Sequence, residues 1–100
     1  MVKSNKIQSL IGFALKSGKI IFGTDNILSY RGREYLIIYD FSLSENARKK
    51  IDRHAEAHGT PVRLTDNLLT EIVRRDAVKA AALTDPNMAA EILKILNAER

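Results

Sequence analysis

The chain has 100 residues, 45% of them hydrophobic and 28% charged, a net charge of +4 and a pI near 9.6. This is the balance of one folded domain over residues 1–100, not of a disordered chain. Having no cysteine, it cannot hold disulfides, thiolate zinc sites or cysteine nucleophiles. No apolar run approaches the ~20 residues that span a bilayer.

The first helix shows in Ile7, Leu10, Ile11, Ala14 and Leu15, one apolar stripe of helical period. Ser4 is the expected N-cap, and Gly18 is placed to end the helix in the left-handed conformation. "KIIF" (19–22) reads as a short buried strand. After the turn Gly23-Thr24-Asp25-Asn26, residues Ile27, Leu28 and Tyr30 give a short helix that stops near Gly32. "YLIIY" (35–39) has the continuous apolar run of a strand covered on both faces.

Ser44 is then the expected cap of a helix whose inner face is Ala47, Ile51, His54 or Ala55, and His58, with Gly59 at its end. Pro61 to Leu64 reads as a short strand led by a proline. Thr65 and Asp66 are expected to cap a helix carrying Leu68, Leu69, Ile72 and Val73. "AVKAAAL" (77–83) is a fourth strand by its place in the alternation. Asp85-Pro86 starts the last helix, whose inner stripe is Met88, Ile92, Ile95 and Leu96. Five helices alternating with four strands predict an α/β protein, a three-layer α/β/α sandwich around a mixed sheet.

The sequence offers little to a catalyst, and the expectation is a protein that is not an enzyme and carries no cofactor or metal. His54 and His58 are spaced to share a helix face, but no third ligand stands out, and "HAEAH" is not the H-E-x-x-H arrangement. They read as half-buried histidines near a helix C-terminus. Asp85 is explained as a helix cap. Asp40 follows a strand end, yet one carboxylate without a base, nucleophile or metal defines no reaction. No phosphate-loop motif is present. "ARKK" (47–50) reads as a solvated face diluted by acids.

Charge is distributed unevenly. Residues 1–33 carry +5 and residues 34–100 carry −1, the asymmetry expected of a face that meets a polyanion. Lys19, Arg31 and Arg33 flank the Gly23 turn within the basic third. A strand that delivers a glycine, small polar residues and a helix start exposes backbone N–H groups to phosphate. Asp25 and Asn26 have the donors and acceptors to meet unpaired base edges; equally, they have the chemistry to cap the helix.

Taken together, "IGFALKSGKIIFGTDNIL", "LIIYD", "SENARKKI", "GTPVRL", "LLTEIVRRD" and "ALTD" resemble the kink-turn-binding ribosomal protein superfamily of L-seven-Ae, L-thirty-e and Gadd-forty-five type. The chain is most similar to its short bacterial stand-alone members, from about Ile7 to Leu96. The resemblance implies an α/β/α sandwich that binds a kinked RNA, such as ribosomal RNA, through the turn after the first strand; a cytoplasmic protein is the default expectation from the absence of cysteine and of a signal-like N-terminus. The family motif there is Gly-x-Asn-Glu-x-x-Lys. Gly23 matches it, Thr24 fills the variable place, Asp25 stands at the Asn, Asn26 at the Glu and Ser29 at the Lys. Amide and carboxylate are therefore exchanged and the cation is missing, a charge that Arg31 and Arg33 are placed to supply. A second contact region implied by the family falls at Leu69-Thr70 through Arg74, with both family glycines replaced.

Two functions follow from the sequence. The first is binding of structured, kink-turn-like RNA, on the ribosome or elsewhere, by Lys19, Gly23, Thr24, Asp25, Asn26, Ser29, Arg31, Arg33, Thr70 and Arg74. The second is a family member that kept the sandwich and serves as a protein-interaction module. Neither calls for a membrane.

Overall fold

Two central strands whose side chains alternate between two faces, each covered by a helix pair, organise the fold. The computed structural model describes residues 2–65 and 78–98, with side chains from Lys6 onward. Among these residues the order is α1 (Val2–Lys16), β1 (Ile20–Phe22), α2 (Thr24–Ser29), β2 (Leu36–Asp40), α3 (Glu45–His58), β3 (Val62–Thr65), β4 (Ala80–Leu83) and α4 (Pro86–Ala98). The four strands form one mixed sheet in the order β1-β4-β2-β3. β4 runs antiparallel to both β1 and β2, and β2 runs parallel to β3.

Every residue of β2 and β4 is buried, as a strand covered on both faces requires. Leu36, Ile38, Ala81 and Leu83 face the layer made by Ile7, Ile11 and Ala14 of α1 with Ala89 and Ile92 of α4. Ile37, Tyr39, Ala80 and Ala82 face the opposite layer, where Ile27 of α2 meets Ile51 and Ala55 of α3. Complete burial of each large aliphatic side chain contributes about 1.5–3 kcal/mol, so the sheet is held from both sides. The alanines of β4 lie between β1 and β2, where each face is closed by a helix pair.

Helix ends follow local chemistry. Lys19 N–H donates to the carbonyl of Ala14 and Gly18 N–H to that of Leu15, the paired reverse bonds of a helix closed by a left-handed glycine; φ of Gly18 is 69°. The Ser44 hydroxyl accepts from Ala47 N–H, and Gly59 ends α3 in the left-handed region. Asp85 Oδ2 accepts from Met88 N–H at 2.9 Å, with Pro86 first in α4.

Four of the expected helices lie among the described residues. The fifth, expected on Leu68 to Val73, lies outside them. Some boundaries differ from expectation. α1 begins at Val2 rather than after Ser4, so Ser4 is inside the helix. Thr65 is buried as the last residue of β3 and pairs with Asp40; the helix it was expected to cap lies outside the described residues. Leu15 points outward, 40% exposed.

Candidate nucleic-acid interface

Strand register decides which candidate residues meet. Phe22 pairs with Ala81, Tyr39 with Ala80, and Asp40 with Thr65. The C-terminal ends of β1, β2 and β3 and the start of β4 therefore share one end of the sheet. Gly23 emerges there. Its N–H donates to the Ala80 carbonyl at 3.0 Å, and its carbonyl accepts from Ile27 N–H at 3.0 Å, so it both extends the sheet ladder and opens α2. That double role needs φ 95° and ψ 142°, a conformation open to glycine and strained for other residues.

α2 is pinned by one fully buried side chain, Ile27, while Asp25, Asn26 and Ser29 are exposed and Thr24 is half-buried. The N-cap of α2 is Gly23, and among the described residues no side chain makes a capping hydrogen bond there. Asn26 does something else: its Nδ2 donates to the carbonyl of Phe22 at 2.9 Å, tying the helix back to the strand. This leaves Oδ1 and the second amide hydrogen without a partner among the described residues. Ser29 Oγ donates weakly to the Asn26 carbonyl at 3.5 Å. Exposed side chains with unused donors and acceptors are what contact to base edges requires.

The positive candidates stand at the other end of the sheet. Ile20 and Leu36 both pair with Leu83, so the chain before β1 and before β2 meets there. Lys19 precedes β1, and its Nζ lies 3.4 Å from Asp85 Oδ1. Asp85 has its pKa lowered, first by the hydrogen bond from Met88 N–H and then by Lys19. Arg31 and Arg33 lie in the exposed connection between α2 and β2, with the Arg33 guanidinium 5.4 Å from the centre of the Tyr35 ring. The structure thus gathers Gly23, Thr24, Asp25 and Asn26 at one end of α2. It places Ser29 at the other, with Arg31 and Arg33 beyond it and Lys19 on the same side of the sheet. Thr70 and Arg74 lie outside the described residues.

Sequence reasoning missed two groupings. His54 Nε2 and Glu34 Oε1 are hydrogen-bonded at 2.7 Å, with side chains only 15% and 4% exposed. Glu34 is twenty positions away in the chain, and no local pattern links them. His58 Nδ1 donates to the His54 carbonyl at 2.9 Å, and the two rings are 4.6 Å apart. Among the described residues no group of three histidine or carboxylate side chains is arranged to hold a metal ion.

The second grouping corrects the view of "ARKK" as wholly solvated. Arg48 is half-buried, its guanidinium 5.8 Å from the centre of the Tyr39 ring and its Nη2 donating to the carbonyls of Phe41 and Leu43. Tyr39 in turn donates to Asp52 Oδ1 at 3.0 Å. Asp40 also has a local explanation, since its Oδ1 accepts from Ser42 N–H at 2.9 Å as the chain turns out of β2.

The sequence matches no protein-family model and no curated protein. Solved structures do match. A protein of unknown function from Bacillus halodurans C superposes with a TM-score of 0.84 at 16% identity, over 93% of this chain and 98% of that one. The Giardia lamblia 15.5kD RNA binding protein superposes with a TM-score of 0.73 at 17% identity, over 98% of this chain and 90% of that one. No helix among the described residues is long and apolar enough to cross a membrane. This chain has an α/β fold with a four-stranded mixed sheet and shares its fold with the Giardia lamblia RNA binding protein.

Proposed function

We propose that this protein binds structured, kink-turn-like RNA without catalysing a reaction, through the turn and helix start that follow β1, with ribosomal RNA as the expected source. The observation that carries the reading is the geometry of α2. One buried side chain, Ile27, anchors it, and Asp25, Asn26 and Ser29 are left exposed beside a glycine whose conformation sets the turn. RNA binding by a structure of the same fold supports the choice of ligand class. Asp25 and Asn26 would read unpaired base edges, while Arg31 and Arg33, beyond Ser29, would hold phosphates and supply the charge absent at Ser29.

The test is a gel-shift titration of the protein and of the double variant Asp25→Ala/Asn26→Ala against a kink-turn RNA. Two base-edge contacts at about 1–3 kcal/mol each make a loss of roughly thirtyfold or more the expected result. Unchanged affinity would remove the turn from the interface. The interaction-module reading has one observation in its favour: Phe41 and Leu64 are 55% and 52% exposed at the same end of the sheet as Gly23. Self-association together with no RNA binding would favour it.

A further inference from the structure

A second site lies at the opposite end of α2 from Gly23. A cleft of about 360 Å³ is lined by Tyr30, Arg31, Arg33, Glu34, His54 and His58, within the size range of small-ligand pockets. Its charges are arranged rather than scattered. Arg31 and Arg33 are exposed and bring the forked donors that suit phosphate. Glu34 is buried: Oε1 is held by His54, while Oε2 is buried with no hydrogen-bond partner among the described residues. A buried carboxylate oxygen without a donor costs stability, and because Glu34 lines the cleft, a shift of its side chain would bring that oxygen to the N–H groups of a ligand bound there. His58 uses Nδ1–H on the His54 carbonyl, so its Nε2 is an acceptor when the ring is neutral.

A glycine shapes the same cleft. A Cβ at Gly32 would come within 2.7 Å of Cε2, Cζ and Oη of Tyr30. The phenol ring therefore lies against the bare backbone of Gly32, and it stays 40% exposed instead of entering the core. An aromatic ring exposed at the rim of a basic cleft can serve as a stacking platform for a base.

We infer that this cleft binds one nucleotide, with its base stacked on Tyr30, its phosphate held by Arg31 and Arg33, and a donor edge, as guanine presents, turned toward Glu34 and His58. The chemistry of the cleft alone points to the nucleotide unit. That the unit belongs to an RNA strand rests on the RNA-binding reading above. Six helical residues, roughly 9 Å of helix, separate the Gly23 turn from the cleft, a span that a strand of a few nucleotides covers.

The test follows backbone and histidine side-chain NMR signals during titration with guanosine monophosphate, cytidine monophosphate and inorganic phosphate, followed by the kink-turn RNA. Saturable shifts centred on Tyr30–Glu34, His54 and His58, with guanosine monophosphate tighter than the other two, are expected. Arg31→Ala/Arg33→Ala should weaken that binding about tenfold or more. Gly32→Ala, which adds no charge but displaces the Tyr30 ring, should weaken it severalfold while phosphate binding is kept. Phosphate binding as tightly as guanosine monophosphate, or guanosine monophosphate shifting no signal in the cleft, would overturn the proposal. Asp25→Ala/Asn26→Ala separates the two sites, since it should weaken RNA binding and leave mononucleotide binding intact. Weakened mononucleotide binding in that variant would contradict the assignment of the nucleotide to this cleft.

Discussion

Replacing Gly23 by alanine isolates one physical cause. Space is not the obstacle, because the added Cβ would meet only Asn26 Nδ2, at 3.7 Å, an ordinary contact. Conformation is the obstacle: φ 95° and ψ 142° belong to a region that L-residues enter at a cost of about 1–3 kcal/mol. The turn cannot relax freely, since Gly23 N–H is bonded to Ala80 and its carbonyl to Ile27 N–H. For a domain of this size each kcal/mol lowers Tm by roughly 4–8 °C. Urea unfolding of Gly23→Ala should therefore show a clear loss of stability, with the m-value unchanged. Gly12→Ala is the matched control. It lies inside α1, its Cβ would meet nothing within 4 Å, and it should gain about 0.5–1 kcal/mol. A Gly23→Ala variant within roughly 0.5 kcal/mol of the parent, the range of neutral surface changes, would refute the claim that this backbone geometry is imposed by the fold.

The other predictions concern packing and ionisation. Ile51→Ala, at a fully buried position facing β2 and β4, should cost about 2–5 kcal/mol in the same unfolding assay. Tyr39→Phe should cost about 1 kcal/mol by losing the bond to Asp52. Burial first, and then Asp52, raises the Tyr39 pKa, so the native state favours the neutral phenol. Its contribution is complete below the ordinary tyrosine pKa near 10 and is lost as pH rises through the higher native value. That alkaline loss should be absent from Tyr39→Phe. Asp85 has the opposite sign: its lowered pKa gives stability that is present above the ordinary carboxylate pKa and lost as pH falls through the native one. Asp85→Ala should flatten the acid limb of the stability–pH curve.

Much of the fold was legible in local pattern, and the site much less so. The apolar run of β2 announced burial on both faces, and Gly18, Ser44, Gly59, Asp85 and Pro86 marked helix ends through capping chemistry that acts within a few residues. β4 was harder, because alanine has no strand preference. Only its central place between β1 and β2 explains why small residues belong there. The turn at Gly23 was found through its residue types. What the sequence could not carry was the distance between that turn and the basic residues near it in the chain. The strand β1 and helix α2 run in opposite directions, and so Lys19, Arg31 and Arg33 are returned to the far end of the sheet. The Glu34–His54 pair was invisible for the same reason, since a long-range contact leaves no periodic trace. Arg48 looked like one cation in a solvated run, but in the fold the Tyr39 ring from β2 and the carbonyls of Phe41 and Leu43 meet it.

The central claim is selective recognition of folded RNA, and one measurement addresses it most directly: titration of the protein against a kink-turn RNA and a straight duplex of equal length at two salt concentrations. Tighter binding to the kinked RNA is expected at both concentrations, because contacts to unpaired base edges survive when phosphate attraction is weakened by salt. Equal affinity for the two RNAs, falling together as salt rises, would contradict it and leave only a basic surface.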